Sequence, residues 1–341
     1  MTMAQQRPAP FLMSVLEMGA RLPGTPAEQA VQDLVESARI ADAHGYHRIW
    51  VAEHHSSQRT VSGVPAVLIA HLAALTERIR VGSGGVMLPN HPPFTVAEQF
   101  ATLAALHPGR VDLGLGRSPA GPAADGLLEA ALRRDPRGVA EFPAHIDELL
   151  GFLRRRGPDR HRFHALRVAP HAAAPPEVHV LGASESSARI AAERGLPFAY
   201  GHHLGRSKCR RAALERYRAT FEPGPDGGRP HLVAAVNVVC AGTDEEAEAL
   251  ALRTSALLAG PQDLSAPVRS SRLALRILEE NQVVRGAPAR VAAELGALAE
   301  GLGVDEVMVT PYELAGPDRH RTLRLTADAL RATRHASART A

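Results

Sequence analysis

The chain has 341 residues, 45% of them hydrophobic, enough to bury a sizeable core. Its 39 Lys and Arg against 36 Asp and Glu leave a net charge of +3, too weak to argue for nucleic acid as a partner. No stretch approaches the ~18 uninterrupted apolar residues of a membrane span, and MTMAQQRPAP at the start carries no secretion signal, so a soluble cytoplasmic protein is expected.

Short apolar runs alternate with segments of helical period along the whole sequence. Residues 10–17 read as a first strand. Residues 26–44 place Val31, Leu34, Val35, Ala38 and Ala41 at helical spacing, and Gly45 stops that helix. A buried strand over 47–53 and a helix over 64–76 follow. Next come a glycine-rich strand over 78–88, a helix over 93–106 and a strand over 110–116. A helix over 139–154 leads to a strand over 177–182, a helix to Gly195 and a short strand over 196–201. The last part reads as a helix over 205–221, a strand over 231–241, a helix over 244–258, a strand over 305–310 and a helix over 317–332. The runs Arg154–Arg156 and Arg160–Arg162 read as solvated surface. Cys209 and Cys240 form neither a CxxC nor a metal-like spacing and read as structural thiols.

Eight strand–helix alternations call for parallel strands joined by crossover helices. The strands are continuous apolar runs, as expected when helices cover one face and a filled barrel interior the other. The fold class is therefore α/β, a (β/α)₈ TIM barrel with insertions, over a single domain spanning 1–341; a doubly wound open sheet is the alternative. The stretch 259–303 is long for one barrel connection and carries helical segments over 270–280 and 288–301, so an insertion or lid is expected there. Residues 333–341 are expected to fray.

In such a barrel the chemistry belongs at the C-terminal ends of the strands. Four features fall there. Glu53-His54-His55 follows the second strand. Adjacent imidazoles diverge, so one at most faces a shared site, where it is either a proton-exchanging group or ordinary packing. Ser83-Gly84-Gly85 ends the third strand and either admits a planar ligand close to the backbone or marks a plain bulge. Gly114-Leu115-Gly116-Arg117 lacks the third glycine of a dinucleotide fingerprint, since Pro119 follows. Its arginine suits a phosphate, or a surface ion pair. Gly182-Ala183-Ser184-Glu185-Ser186-Ser187 opens a helix, either as an anion site or as a plain N-cap. Arg117 and this turn follow neighbouring strands and can grip one phosphate together.

The segments VAEHH (51–55), VGSGGVMLPNHPPFTVAEQFATL (81–103), PGRVDLGLGR (108–117) and LGASESSARIAAERGLPFAYG (181–201) closely resemble the bacterial luciferase-like flavin monooxygenases, in particular their alkanal-monooxygenase-like branch. The resemblance spans most of residues 10–332. It implies a (β/α)₈ barrel, usually a homodimer, that uses reduced FMN (FMNH₂) delivered by a separate NAD(P)H:flavin reductase. The implied reaction activates O₂ as a flavin C4a-hydroperoxide and inserts one oxygen into a small organic substrate. His54 matches the active-site histidine. Gly84-Gly85, with Ser83 before it, matches a strand end whose non-proline cis peptide packs on the flavin ring. Arg117, Ser184 and Ser187 match the phosphate-binding set, and Ser186 of the same serine-rich turn is a further candidate. No metal is implied. Glu17, where relatives carry aspartate, and Ser118-Pro119-Ala120-Gly121 depart from the family pattern, as does 311–321. The segments 118–137, 259–290 and 311–321 are expected to set specificity without revealing the substrate. An F420-dependent hydride-transfer enzyme, a non-catalytic flavin-binding protein and a metal-dependent hydrolase are the competing readings.

Overall fold

The computed structural model describes residues 11–117, 126–154, 163, 165–224, 227–258 and 267–339, with the backbone alone for 267–271 and 334–339. Its strands are β1 (Leu12–Glu17), β2 (Arg48–Val51), β3 (Arg80–Met87), β4 (Val111–Gly116), β5 (Glu177–Gly182), β6 (Phe198–Tyr200), β7 (Leu232–Cys240), β8 (Val284–Gly286) and β9 (Glu306–Pro311). The helices are α1 (Ala27–Ala43), α2 (Pro65–Leu75), α3 (Pro93–Leu106), α4 (Leu127–Ala131), α5 (Phe142–Arg154) and α6 (Glu185–Ala192). They continue with α7 (Ala212–Ala219), α8 (Asp244–Leu258), α9 (Pro267–Glu280), α10 (Pro288–Leu302) and α11 (Gly316–Arg339).

All strand pairings are parallel. β1 through β7 pair in chain order, β7 pairs with β9, and β9 returns to β1. The ring is closed, which makes it a (β/α)₈ barrel and rules out the open sheet. The remaining strand, β8, lies outside the ring against the end of β7, pairing Val238 with Val284 and Cys240 with Gly286. This strand was not expected, because three residues carry too short a pattern to read. It belongs with α8 and α9, which share a second apolar cluster containing Val239, Leu250, Leu278, Val283, Tyr312 and Leu314. α10 packs against β7, β9 and α11 and so occupies the regular crossover position before β9. α11 continues through Arg339, past the expected end at 332, over an Ala- and Arg-rich stretch without a breaker. Ser118–Gly121, Arg155–Arg156 and Arg160–Arg162 lie outside the described residues.

The main core lies between the barrel and its helices, where alternate strand residues such as Val15, Ile49, Val81, Leu113, Val236 and Val307 point outward. The inward set differs from the apolar filling expected from the runs. At the N-terminal end of the barrel it is ionic. Arg48 of β2 donates to Asp112 of β4 at 3.0 Å and to Glu177 of β5 at 3.2 Å, and its Nε lies 3.1 Å from Glu306 of β9. Arg80 Nε donates to Asp112 at 2.9 Å, and Ser14 of β1 donates to Glu306. His231 Nε2 lies 3.1 Å from the other Glu306 oxygen. Burial works against the Arg48 charge, but Glu306, Asp112 and Glu177 outweigh it and raise its pKa. Burial likewise pushes the Glu306 carboxyl upward. The hydrogen bond from His231, the Arg48 charge and the Ser14 hydroxyl overcome it and hold the pKa at about 2.

Above this layer Trp50 is fully buried, its indole N–H donating to Asp112 at 3.0 Å and its ring meeting His179 edge-on at 4.8 Å. Leu16, Trp50, Ala199, Val233, Ala235 and Met308 form a small apolar layer across the barrel. Removing Cβ atoms is what makes room for the indole. A Cβ on Gly82 would stand 2.8 Å from Trp50 Cδ1 and 2.6 Å from Asp112 Cβ.

Because the folded Glu306 pKa lies below the ordinary carboxylate value of 4.5, its contribution is present above that value and is lost as pH falls toward 2. Chemical denaturation between pH 7 and pH 3 should show stability falling on acidification. Glu306→Gln should be less stable at pH 7 by on the order of 3 kcal/mol, because it withdraws one of the three carboxylates that compensate the buried Arg48, and should show a shallower acid slope. An unchanged slope would contradict the assignment.

Candidate active site at the mouth of the barrel

A cavity of about 660 Å³ opens at the C-terminal ends of the strands, directly above the apolar layer. Its floor is Leu16, Trp50, Ala199, Ala235 and Met308, and its walls include His54, Gly84, Gly116, Arg117, Ser184 and Ser187. The structure thus brings His54, Gly84, Arg117, Ser184 and Ser187 together from β2, β3, β4 and β5.

Arg117 stands immediately after β4, and its Nη1 donates to Ser186 Oγ at 3.2 Å. Ser186 lies in the first turn of α6. Ser184 is the N-cap of that helix, accepting from the Ser187 N–H at 3.3 Å, with the two hydroxyls 3.2 Å apart. Capping and anion binding are therefore not exclusive here. The cap orients a helix N-terminus whose first-turn N–H groups lack intrahelical acceptors, and the guanidinium lies across the same turn.

Gly84 and Gly85 are joined by a cis peptide, and the β3–β4 register shifts between Gly84 and Val86. A Cβ on Gly84 would reach 2.5 Å from Leu16 Cδ1, and one on Gly85 would reach 2.7 Å from the Gly114 carbonyl. Gly84 presents bare backbone to the cavity, whereas Gly85 packs against β4 and is not among the lining residues. Ser83 takes no part in it. Strand alternation turns it away from the barrel interior, and its hydroxyl donates to Gly114 O at 2.9 Å and accepts from Gly114 N at 3.0 Å. It braces β3 against β4.

His54 lines the cavity, and its buried Nδ1 has no partner among the described residues. Burial lowers its pKa, with the neighbouring His55 adding to the effect and Glu53 opposing it, so the ring is neutral near pH 7. The neighbouring His55 turns elsewhere. Its Nε2 lies 2.8 Å from Glu53 Oε1, which also meets His91 Nε2 at 2.9 Å, while Met87 N donates to Glu53 Oε2 at 3.1 Å. An ionised carboxylate only accepts, so both imidazoles present N–H to it. A ring nitrogen of each imidazole and a Glu53 carboxylate oxygen lie within 4.8 Å of one another, a grouping hidden from sequence spacing because His91 comes from a different loop. Burial opposes the Glu53 charge, but the bonds from His91, His55 and Met87 prevail and lower its pKa.

Glu17 does not reach the cavity. It is buried against Arg319 of α11, 3.3 Å from Nη1, and accepts from Gly19 N at 2.9 Å. Arg319 Nη2 in turn donates to Ala20 O and Leu314 O at 2.7 and 3.1 Å. The pair pins the loops after β1 and β9. His203 and Lys208, both after β6, also line the cavity, and sequence reading did not single them out. Burial pushes the His203 imidazole down to about 4. Its only sequence signal is a polar cluster following a barrel strand.

A closed parallel barrel with a helix N-terminus, an arginine and an imidazole around one cavity defines a (β/α)₈ protein whose candidate site lies at the strand ends. Residues 12–306 match the family model described as luciferase-like monooxygenase, and the chain belongs to that family. It is 37% identical to the protein YwcH of Bacillus subtilis (strain 168) over 334 residues, 93% of this chain and 98% of that one. It is 38% identical to the N-acetyl-S-alkylcysteine monooxygenase of the same organism over 238 residues, 69% of this chain and 70% of that one. The solved structure of apo-MsnO8 superposes with a TM-score of 0.78 at 35% identity, covering 94% of this chain and 98% of that chain.

Glu53→Gln replaces an acceptor-only group with one that also donates, facing N–H groups on every side. Thermal unfolding should show a loss of about 1–3 kcal/mol, largely absent in Glu53→Gln made on a His55→Ala, His91→Ala background.

Proposed function

We propose that the protein is a monooxygenase that uses reduced FMN to insert one atom of O₂ into a small organic substrate. The observation that carries this reading is the convergence of Arg117 and the Ser184–Ser187 turn on the same cavity as His54. The residues fit the cofactor. Arg117, the hydroxyls of Ser184, Ser186 and Ser187, and the start of α6 form a donor-rich pocket suited to a phosphate. The bare backbone at Gly84 suits a flat ring system, and the Nδ1 of His54, which has no partner among the described residues, is a polar atom that a bound ligand can satisfy.

Reduced FMN bound here would supply the electrons that activate O₂, chemistry that belongs to the cofactor. Each protein group has a simpler task. Arg117 and the serine turn anchor the phosphate and so set the depth of the ligand in the barrel. Leu16, Trp50, Ala235 and Met308 keep the floor dry, which protects a water-sensitive reaction. Neutral His54 can give or take a proton at its imidazole nitrogens. The reading includes a separate NAD(P)H:flavin reductase as the source of reduced FMN, a homodimer and a cytoplasmic setting.

Arg117→Ala should weaken FMN binding more than about tenfold, the loss expected for a charge-assisted contact; titration of intrinsic flavin fluorescence measures this, and retained affinity would sink the phosphate assignment. His54→Ala should weaken FMN binding far less than Arg117→Ala does while uncoupling oxygen consumption from product. Product yield per O₂ consumed is the measurement, and an unaffected yield would remove His54 from the chemistry. Tighter binding of F420 than of FMN would redirect the reading to hydride transfer. Oxygen uptake never coupled to any product would favour a flavin-binding role.

A further inference from the structure

The 39 Lys and Arg residues of this chain include a single lysine, Lys208, all the others being arginine. That lysine lines the cavity that Arg117, Ser184 and Ser187 also line. Its ammonium has no ion pair or side-chain hydrogen bond among the described residues. The two cations differ in kind: guanidinium is a planar fork, whereas ammonium is a compact charge on a flexible stem that can approach a ligand from any direction.

The loop carrying Lys208, between β6 and α7, is fastened on both sides. Arg206 N donates to Glu280 O at 2.8 Å, and Ser207 N donates to the Glu280 carboxylate at 2.8 Å. On the other side, Arg210 N donates to Ala183 O at 3.2 Å, and Ala183 directly precedes the Ser184 cap. Lys208 is therefore held next to the serine turn. The nearby Glu280 carboxylate feels the Lys208 charge only weakly; the Ser207 contacts are the larger influence on it.

Charge balance gives the site a reason for a second cation. A phosphomonoester carries about −1.5 to −2 near neutral pH. Arg117 supplies one positive charge, and a helix N-terminus contributes roughly half a charge. Up to about half a charge on the dianion then remains uncompensated.

We propose that Lys208 closes a phosphomonoester clamp from the β6 side, opposite Arg117, and makes the site select phosphorylated flavin over riboflavin. This rests on the FMN reading above and adds a residue and a selectivity to it. Because the chain has one lysine, the proposal has a direct chemical readout. The full-length protein is trace-labelled with an amine-selective acetylating reagent alone, with FMN or with riboflavin, and modification at Lys208 is quantified by mass spectrometry, with the α-amino group as internal reference. FMN should protect Lys208 several-fold and riboflavin should not. In parallel, Lys208→Gln should weaken FMN about tenfold and leave riboflavin affinity unchanged, with Lys208→Arg recovering part of the loss. Equal protection by both flavins, no protection at saturating FMN, or unchanged FMN affinity in Lys208→Gln would overturn the clamp while leaving the FMN reading intact. Failure of the unmodified protein to bind FMN would overturn both.

Discussion

The guanidinium of Arg48, enclosed by Asp112, Glu177 and Glu306, is the interaction on which the upper half of the barrel depends. It joins β2, β4, β5 and β9 through their inward side chains and closes the N-terminal end of the barrel. A charge this deeply buried is costly unless paired, and removing one partner leaves the others exposed to that cost. Asp112 extends the arrangement upward by accepting the Trp50 N–H. The indole is thereby fixed in one orientation, and with Leu16 and Met308 it makes a flat apolar floor. The cavity exists because the layers beneath it are full.

Above the floor, strand ends and loops divide the work. Gly84, Gly116 and Arg117 belong to or directly follow β3 and β4, so their positions follow from the barrel ladder itself. His54 sits one residue beyond Glu53, whose carboxylate is tied to His55, His91 and the Met87 backbone. That tie joins the ends of β2 and β3 and sets the backbone from which His54 projects. The Glu17–Arg319 pair does the same for the loops after β1 and β9. The segment of α8, α9 and β8 reaches the rim as well, through Glu280 under the β6 loop and through Asn237, which donates to both His203 O and Asn281 O at 3.0 Å.

Much of this was legible before any coordinates. The strand and helix periods and the chain-order alternation predict the barrel, and the strand ends lie within a few residues of their expected positions. Gly84, Arg117, Ser184 and Ser187 were legible because each sits where a strand stops and a loop or helix begins. Ser83 was misplaced because its neighbours were read as a unit, although strand alternation sends it the opposite way. The ionic layer was missed because Arg48 and Asp112 stand inside otherwise apolar runs, where a lone charge reads as an interruption.

The sequence by itself determined the period of each segment, the order of the elements, the residues at each strand end and, by resemblance, the family. These properties are local or follow chain order. Only the tertiary structure decided that Arg48 meets Glu306, that His91 completes the Glu53 group, and that Lys208 shares a rim with Arg117. Each of these joins residues from different strands or loops, and closure of the barrel, rather than spacing along the chain, sets their separation.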